Sequence, residues 1–350
     1  MAHLSSFKLR DFRCFRALEC EWVPGLNAVV GPNAQGKTSL LEAACVLLRL
    51  ASPRSPGLGP LVRLGATGFV VDGFHAGAHL QFYCSARRRK LALDSVVQAK
   101  TGRYLETGTV VWFSNHDLAL VRGSAEERRR YLDFVASQIS PVYRRHLRDY
   151  DRALRSRNRL LKAPVIRWRE VAAFDHPLVE AGTALTAARS ALVEALRPAA
   201  QEAHRAISAE AGEGLTLRYR PGAGESLEHR LEETREESIR LRQTLAGPHR
   251  DELELELNNL ATSFASEGQQ RTLALALRLA QAREITRQQE RPPLFLLDDI
   301  FGELDPRRRN ALLHQFPAGS QQIITTTHLD WAQVPISRGY ALEGGALRLL

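Results

Sequence analysis

Apolar and polar residues change rhythm twice along the chain. Up to about residue 114 the apolar positions fall in short strand-like runs: Ala2 to Leu9, Gly25 to Val30, Gly68 to Phe74, Ala78 to Ser85, Lys90 to Asp94 and Thr109 to Phe113. One helix interrupts them, because Val30 feeds a glycine loop and then a helical run to about Leu50, closed by the Pro/Gly-rich connector ASPRSPGLGP at 51 to 60. From Asn115 to about Gly212 the period lengthens to that of long Ala/Leu/Arg helices, with hardly any strand signal. Strands then return at Leu215 to Arg220, in the acid/leucine alternation Asp251 to Leu257 before an Asn258-Asn259 turn, at Leu294 to Leu297 and at Gln321 to Thr326. Between them lie a charged helix over about 225 to 245 and a helix over 306 to 315, and Gly344-Gly345 suits a last hairpin. The pattern predicts an α/β protein in which 1–114 and 213–350 form one lobe and 115–212 an inserted all-helical lobe.

Composition narrows the class. At 350 residues and 44% hydrophobic the chain can bury a large core unaided. Cys14, Cys20, Cys45 and Cys84 show no paired or zinc-like spacing, which predicts buried free thiols in a reducing compartment. MAHLSSFKLRDF has no apolar leader core and no run of about 18 apolar residues occurs, so a cytoplasmic protein without a membrane partner is expected. A formal charge of +9 admits a polyanionic partner without requiring one.

The chemistry is concentrated in four places. Gly31, Pro32, Asn33, Ala34, Gln35, Gly36, Lys37 and Thr38, followed by Ser39, fit G-x-x-x-x-G-K-[ST] between a strand and a helix. Glycines let backbone N–H groups close on phosphates, the helix N-terminus adds its dipole, Lys37 reaches the β and γ phosphates of ATP, and the Thr38 hydroxyl ligates Mg²⁺. L-F-L-L-D-D at 294 to 299 is a buried parallel strand ending in two carboxylates, where a sheet presents residues to a ligand. Asp298 is the second Mg²⁺ residue, and Asp299 stands where ABC-type ATPases usually carry the glutamate that polarises the attacking water. One methylene shorter, it predicts slow hydrolysis. S-E-G-Q-Q at 266 to 270, some 30 residues upstream, resembles the ABC signature, with Ser266, Gly268 and Gln269 meeting the γ-phosphate held by another subunit. Ser266 and Gln269 equally form a capping box, and a capped helix N-terminus is itself what an anion site needs. G-E-L-D at 302 to 305, ending in Asp305, lies at the distance of a D-loop, and the switch role falls to His328 or to the Thr325 to Thr327 run.

Taken together, FKLRDFRCF at 7 to 15, GPNAQGKTSLLEA, FSNHDLALVRGSAEERRRYLD at 113 to 133, GPHRDE at 247 to 252, SEGQQR and LLDDIFGELD resemble the bacterial RecF proteins, nearly end to end. The resemblance implies an ABC-type P-loop ATPase head related to those of SMC proteins. It also implies a weak DNA-dependent ATPase that dimerises on ATP, acts at gapped DNA or single-strand/double-strand junctions, and works with RecO and RecR to place RecA. Two stretches depart from the family: Asn115-His116 replaces a usual Pro-Glu, and SPRSPGLG replaces a serine, aromatic, arginine stretch in which Arg54 stands for the nucleotide-contacting arginine. The Q-loop glutamine has no assignment.

Arg144, Arg148, Arg152, Arg155 and Arg159 recur at steps of 4, 4, 3 and 4 on one helix, beside an apolar stripe of Tyr143, Leu147, Tyr150, Leu154 and Leu161. Such a basic stripe fits either a DNA-phosphate-tracking surface or a solvated helix face. Two other classes share the nucleotide motifs. An ABC transporter subunit would place its signature at half the roughly 230 residues that separate Lys37 from Ser266, and an SMC-type structural protein would need hundreds of residues of heptads.

Overall fold

In the computed structural model, which describes residues 3–55, 57–208, 213–332 and 334–350, the chain divides into two compact units, Met1–Asp117 with Gln281–Leu350, and Leu118–Ala280. Ala2, where the first strand was expected to begin, and residue 212, where the helical lobe was expected to end, lie outside the described residues. The chain opens with β1 (Leu4–Phe12), β2 (Phe15–Glu21), β3 (Leu26–Val30), α1 (Lys37–Arg49), β4 (Gly68–His75), β5 (Ala78–Ser85), β6 (Arg89–Leu93), β7 (Val96–Gln98), α2 (Gly102–Leu105) and β8 (Val110–Ser114). Next come α3 (Leu118–Arg122), α4 (Ala125–Ile139), α5 (Pro141–Leu161), α6 (Trp168–Ala172), α7 (Asp175–Ile207), β9 (Leu215–Arg220), α8 (Leu227–Glu233), α9 (Arg235–Leu241), β10 (Glu252–Leu257), β11 (Leu260–Ala261) and α10 (Glu267–Gln289). The end is β12 (Leu294–Asp298), α11 (Pro306–Leu313), β13 (Gln322–Thr326), β14 (Arg338–Glu343) and β15 (Ala346–Leu349).

The first unit holds two sheets. One is antiparallel, in the order β2-β1-β4-β5-β6-β7, and its strands alternate: Phe7, Leu9 and Phe12 of β1 point inward while Lys8 and Arg10 point out. The other runs β15-β14-β3-β13-β12-β8, parallel from β14 to β8 with β15 antiparallel at its edge. Its central strands do not alternate, since both of their faces are covered: every residue of β8 and β12 is buried. Helix α1 touches strands of both sheets and buries residues all round, as its continuous apolar sequence requires. β2 was not anticipated, because a turn of only two residues joins it to β1, with Asp11 and Arg13 in left-handed backbone at φ 54 and 51. Cys14 sits in that turn and is exposed, so the expectation of buried thiols fails there, while Cys20, Cys45 and Cys84 are buried and free.

In the second unit α3 to α7 supply the expected helices, and β11-β10-β9 form a small antiparallel sheet. Residues 213–280, assigned from sequence to the same lobe as the acidic pair, group with these helices because β9 packs on α7 and β10 on α4. The helix expected over 225 to 245 is two, parted at Thr234, whose hydroxyl bonds back to the Arg230 carbonyl at 2.7 Å. Asn258 and Asn259 take φ of 52 and 63, as a two-residue hairpin turn demands. No helix among the described residues is long and apolar enough to cross a membrane.

Candidate nucleotide site

The glycine loop leaves β3 at its carboxyl end, an edge where parallel sheets hold ligands. Its glycines are required by position. A Cβ on Gly31 would lie 2.4 Å from the Leu342 carbonyl oxygen, and Gly36, at φ 99, would meet Cys14 Sγ at 2.6 Å. Ala34 also takes a left-handed φ of 65, and the Gln35 side-chain oxygen accepts from the Gly344 N–H at 3.0 Å. The loop thus curls back on itself before α1 begins at Lys37. The Lys37 ammonium donates to the carbonyls of Gly31 at 2.5 Å and Pro32 at 3.0 Å, which holds its charge inside the curl. Burial pulls the ammonium below its ordinary range, and the charges of Asp299 and Asp298 oppose that shift.

At the end of β12, Asp298 Oδ1 accepts from the Thr38 hydroxyl and from the Thr325 hydroxyl, both at 2.9 Å. Burial pushes this carboxyl above the usual carboxylate range, against the two hydroxyl bonds and the charge of Arg54. Asp299 turns out of the strand at φ 51, its N–H donating to the Thr325 carbonyl at 3.2 Å and hydroxyl at 3.1 Å. The β13 strand lies between β3 and β12, so its Thr325 reaches the acidic pair directly; His328 is exposed and pairs with Asp330 at 3.6 Å. Of the two switch candidates, the threonine run is the one brought to the acidic pair.

A cluster behind the loop was not anticipated. Glu42, fully buried in α1, accepts from Arg13 Nε and Nη2, each at 2.9 Å, and from the Ser52 hydroxyl at 2.5 Å, while Arg54 Nη1 lies 3.8 Å away. A lone acid inside LLEAACVLL was the available signal, because a buried carboxylate needs a cation. Asn115, at the departure from the family pattern, donates to Glu303 of the GELD turn at 2.6 Å. Asp305 of that turn caps α11, accepting from the Arg308 N–H at 3.0 Å.

In the second unit Ser266 and Gln269 do form the reciprocal capping box: Ser266 Oγ accepts from the Gln269 N–H at 3.3 Å, and Gln269 Oε1 from the Ser266 N–H at 2.7 Å. Ser266 is exposed and Gly268 half-buried, whereas Gln269 also donates to Glu213 at 2.7 Å.

Residues 26–330 match the family described as "AAA domain, putative AbiEii toxin, Type IV TA system". The DNA replication and repair protein RecF of Symbiobacterium thermophilum is 38% identical, covering 94% of this chain and 92% of its own length. That of Anaeromyxobacter sp. is 37% identical over 98% of both. The chain belongs to the RecF family of DNA replication and repair proteins. A solved structure of the recombination mediator protein RecF-ATPrS in the RecFOR pathway superposes with a TM-score of 0.91 at 27% identity, over all of this chain and 98% of that one. A Pyrococcus furiosus Smc head domain shares the fold, with a TM-score of 0.57 at 16% identity. The architecture is thus an ABC-type ATPase head.

The RecF-like block at 247–252 and the 118–133 part of the block at 113–133 converge in the second unit. Asp251, fully buried, accepts from Arg189 Nη1 at 2.7 Å, from the Gly222 N–H at 2.8 Å and from the Tyr219 hydroxyl. Arg189 also holds Asp133 at 2.7 Å and the Pro248 carbonyl at 2.7 Å. Arg129 donates to the Asp251 carbonyl at 2.7 Å, and Arg128 holds Glu252 at 2.7 and 3.1 Å. His249 lies 2.6 Å from the Tyr150 hydroxyl and 2.9 Å from the Thr244 carbonyl, and burial lowers its pKa to about 4. On α5, Arg148, Arg152, Arg155 and Arg159 are exposed, and Arg144 is half-buried with its guanidinium on the Ser137 carbonyl at 2.6 Å. The stripe therefore presents four arginines rather than five.

Proposed function

We propose that this chain is a cytoplasmic ATP-binding protein of recombinational repair that hydrolyses ATP slowly, dimerises on ATP and binds gapped or junction DNA. RecO- and RecR-type proteins would be its partners in placing RecA. The observation that carries the reading is the 2.9 Å bond from Thr38 to Asp298, which joins the head of α1 to the end of β12 across 260 residues of sequence. A hydroxyl and a carboxylate oxygen so placed are the donor set a divalent cation takes from a P-loop protein. Thr38 and Asp298 would hold Mg²⁺, which supplies neutralising charge to the phosphates when bound.

Lys37 balances the charge of the β and γ phosphates, and the N–H groups of 33 to 39 cradle them, with Gly31 and Pro32 shaping the start of the loop. Asp299, turned out of its strand beside Thr325, positions the attacking water, and Arg54, steadied by Glu42, faces the nucleotide. Ser266 and Gly268 complete the site from a second copy, with Asp305 in the D-loop of that interface. Gln269, occupied by Ser266 and Glu213, steadies the capped helix rather than reaching the phosphate. The exposed α5 arginines contact DNA phosphates without reading bases.

The test is sedimentation of the purified protein, with and without ATP and Mg²⁺, followed by titration with gapped DNA. Dimers and DNA binding that both require ATP are expected, with the Asp299→Asn dimer outlasting the wild-type one. A monomer that ignores ATP, or DNA binding of equal strength without it, would contradict the reading.

A further inference from the structure

The antiparallel sheet of the first unit packs one face inward and leaves the other polar. On the outer face Arg10 of β1, Val70 of β4, Tyr83 of β5 and Lys90 of β6 stand in one cross-strand row, each the register partner of the next. Register partners project to the same side, and at about 4.8 Å per strand Arg10 and Lys90 stand roughly 14 Å apart. Along this row runs a groove of about 650 Å³ lined by Arg10, Arg16, Arg63 and Tyr83. The β5–β6 turn adds Arg87 and Arg88, with Arg89 and Lys90 following, all exposed.

Two of the acids nearby are already paired with cations and a third is hydrogen-bonded. Asp11, the one carboxylate lining the groove, is bound by Arg63 at 2.8 Å; Glu19 is bound by Lys8 at 2.6 Å, and Asp72 by His79 and Gln81 at 3.1 and 2.7 Å. Among the described residues no acid pairs with Arg10, Arg16, Arg87, Arg88 or Lys90. Such a concentration of uncompensated cations on a rigid sheet attracts a polyanion. Apart from Ala17 and Val70 the groove is polar or glycine, so it lacks the apolar centre of a protein interface. The groove itself is lined by no raised aromatic platform on which single strands stack: Tyr83 is half-buried and lies across Gly68, its hydroxyl 3.0 Å from where a Cβ there would stand, and the exposed Phe74 farther along β4 is outside the groove with one side of its ring covered by His79.

We propose that this face of the antiparallel sheet binds the sugar-phosphate backbone of duplex DNA, through Arg10, Arg16, Lys90 and the Arg87–Arg89 turn. The inference rests on the DNA-binding reading above and adds to it a surface separate from the α5 arginines. It carries no base readout, since it offers no element shaped for a groove.

The experiment is fluorescence anisotropy of the full chain with ATP and Mg²⁺, on a duplex and on a single strand of equal length, at several salt concentrations. The variants are Arg10→Glu/Arg16→Glu and the milder Arg10→Gln/Arg16→Gln, with ATP affinity and melting temperature measured alongside. Duplex affinity should fall at least tenfold in the reversed variant, and the log–log salt slope should flatten by roughly 1.8 for two lost phosphate contacts. Melting temperature and ATP affinity should hold, because both side chains are exposed. Unchanged duplex affinity and slope in both variants would overturn the proposal, as would an equal loss on the single strand. A wild type that binds no DNA would instead overturn the underlying reading of function.

Discussion

Asp298 in the first unit and Asp251 in the second are both buried aspartates approached by residues from distant parts of the chain, but what approaches them differs. Asp298 receives two neutral hydroxyls, both on Oδ1. Asp251 receives an arginine, a tyrosine and a backbone N–H, and the same arginine is shared with Asp133. Neutral donors leave the first carboxylate short of positive charge, and burial raises its pKa accordingly. Such a site gains by taking a cation. The second has a guanidinium against it and donors on both oxygens, so it gains little from a ligand and works as a fastener between α4, α7 and the start of β10. RecF-like sequence marks both places, which means that family likeness alone does not separate a candidate ligand site from a clamp; the charge balance does.

The comparison breaks most easily at Asp251. Asp251→Ala leaves Arg189 with Asp133 as its one carboxylate and takes the acceptor from the Tyr219 hydroxyl and the Gly222 N–H, and it should lower stability by about 3 kcal/mol, read by urea unfolding, while the protein that remains folded keeps its ATP affinity. If stability were unchanged, the cluster would not be a fastener. Lys37→Ala should do the reverse, weakening ATP binding about 100-fold, or roughly 2.7 kcal/mol, by calorimetry, with the unfolding midpoint nearly unmoved. Loss of both properties together would mean the loop is structural as well.

The third test is pH. His249 is held neutral with its pKa lowered from 6.5 to about 4 by burial, so the unfolded chain binds the extra proton between those values and stability falls with acidification through that window. Between pH 7 and 4.5 this one residue should cost about 2 kcal/mol, and His249→Gln should flatten the profile by that share. His75, lowered to about 4 by burial in the first unit, leaves a second, independent share in the variant. The smallest effect is on the arginine stripe. Arg148→Glu with Arg152→Glu should flatten the salt dependence of DNA binding by roughly 0.9 per lost contact and leave stability within about 0.5 kcal/mol. An unchanged slope returns α5 to a solvated face.

Much of this was legible in the sequence because the nucleotide site is made of short, local patterns. The strand, glycine loop and helix at 26 to 49 and the apolar strand ending in Asp298-Asp299 announce themselves through residue types that backbone geometry and phosphate chemistry require. What was illegible depends on contacts across the chain. The 213–280 segment reads as part of an alternating strand and helix series, yet β9 and β10 cover α7 and α4, which no local period reveals. Glu42 shows no partner in the local sequence because Arg13, Ser52 and Arg54 lie on either side of α1 in segments of turn-like sequence. Arg144 kept the spacing of its stripe but folds back to Ser137, since periodicity places a side chain on a face without saying what it will meet there.

The central claim is that one P-loop is completed by the signature of a second copy, and mixing two inactive proteins tests it most directly. Lys37→Ala lacks a working loop, and Ser266→Arg lacks a working signature while its loop is intact. Each should show no ATP turnover alone. In a mixed dimer the loop of the second faces the signature of the first, so one complete site forms and turnover should partly recover, rising with total protein concentration as dimers fill. No recovery on mixing, from two proteins that are each folded and of which Ser266→Arg still binds ATP, would contradict the account.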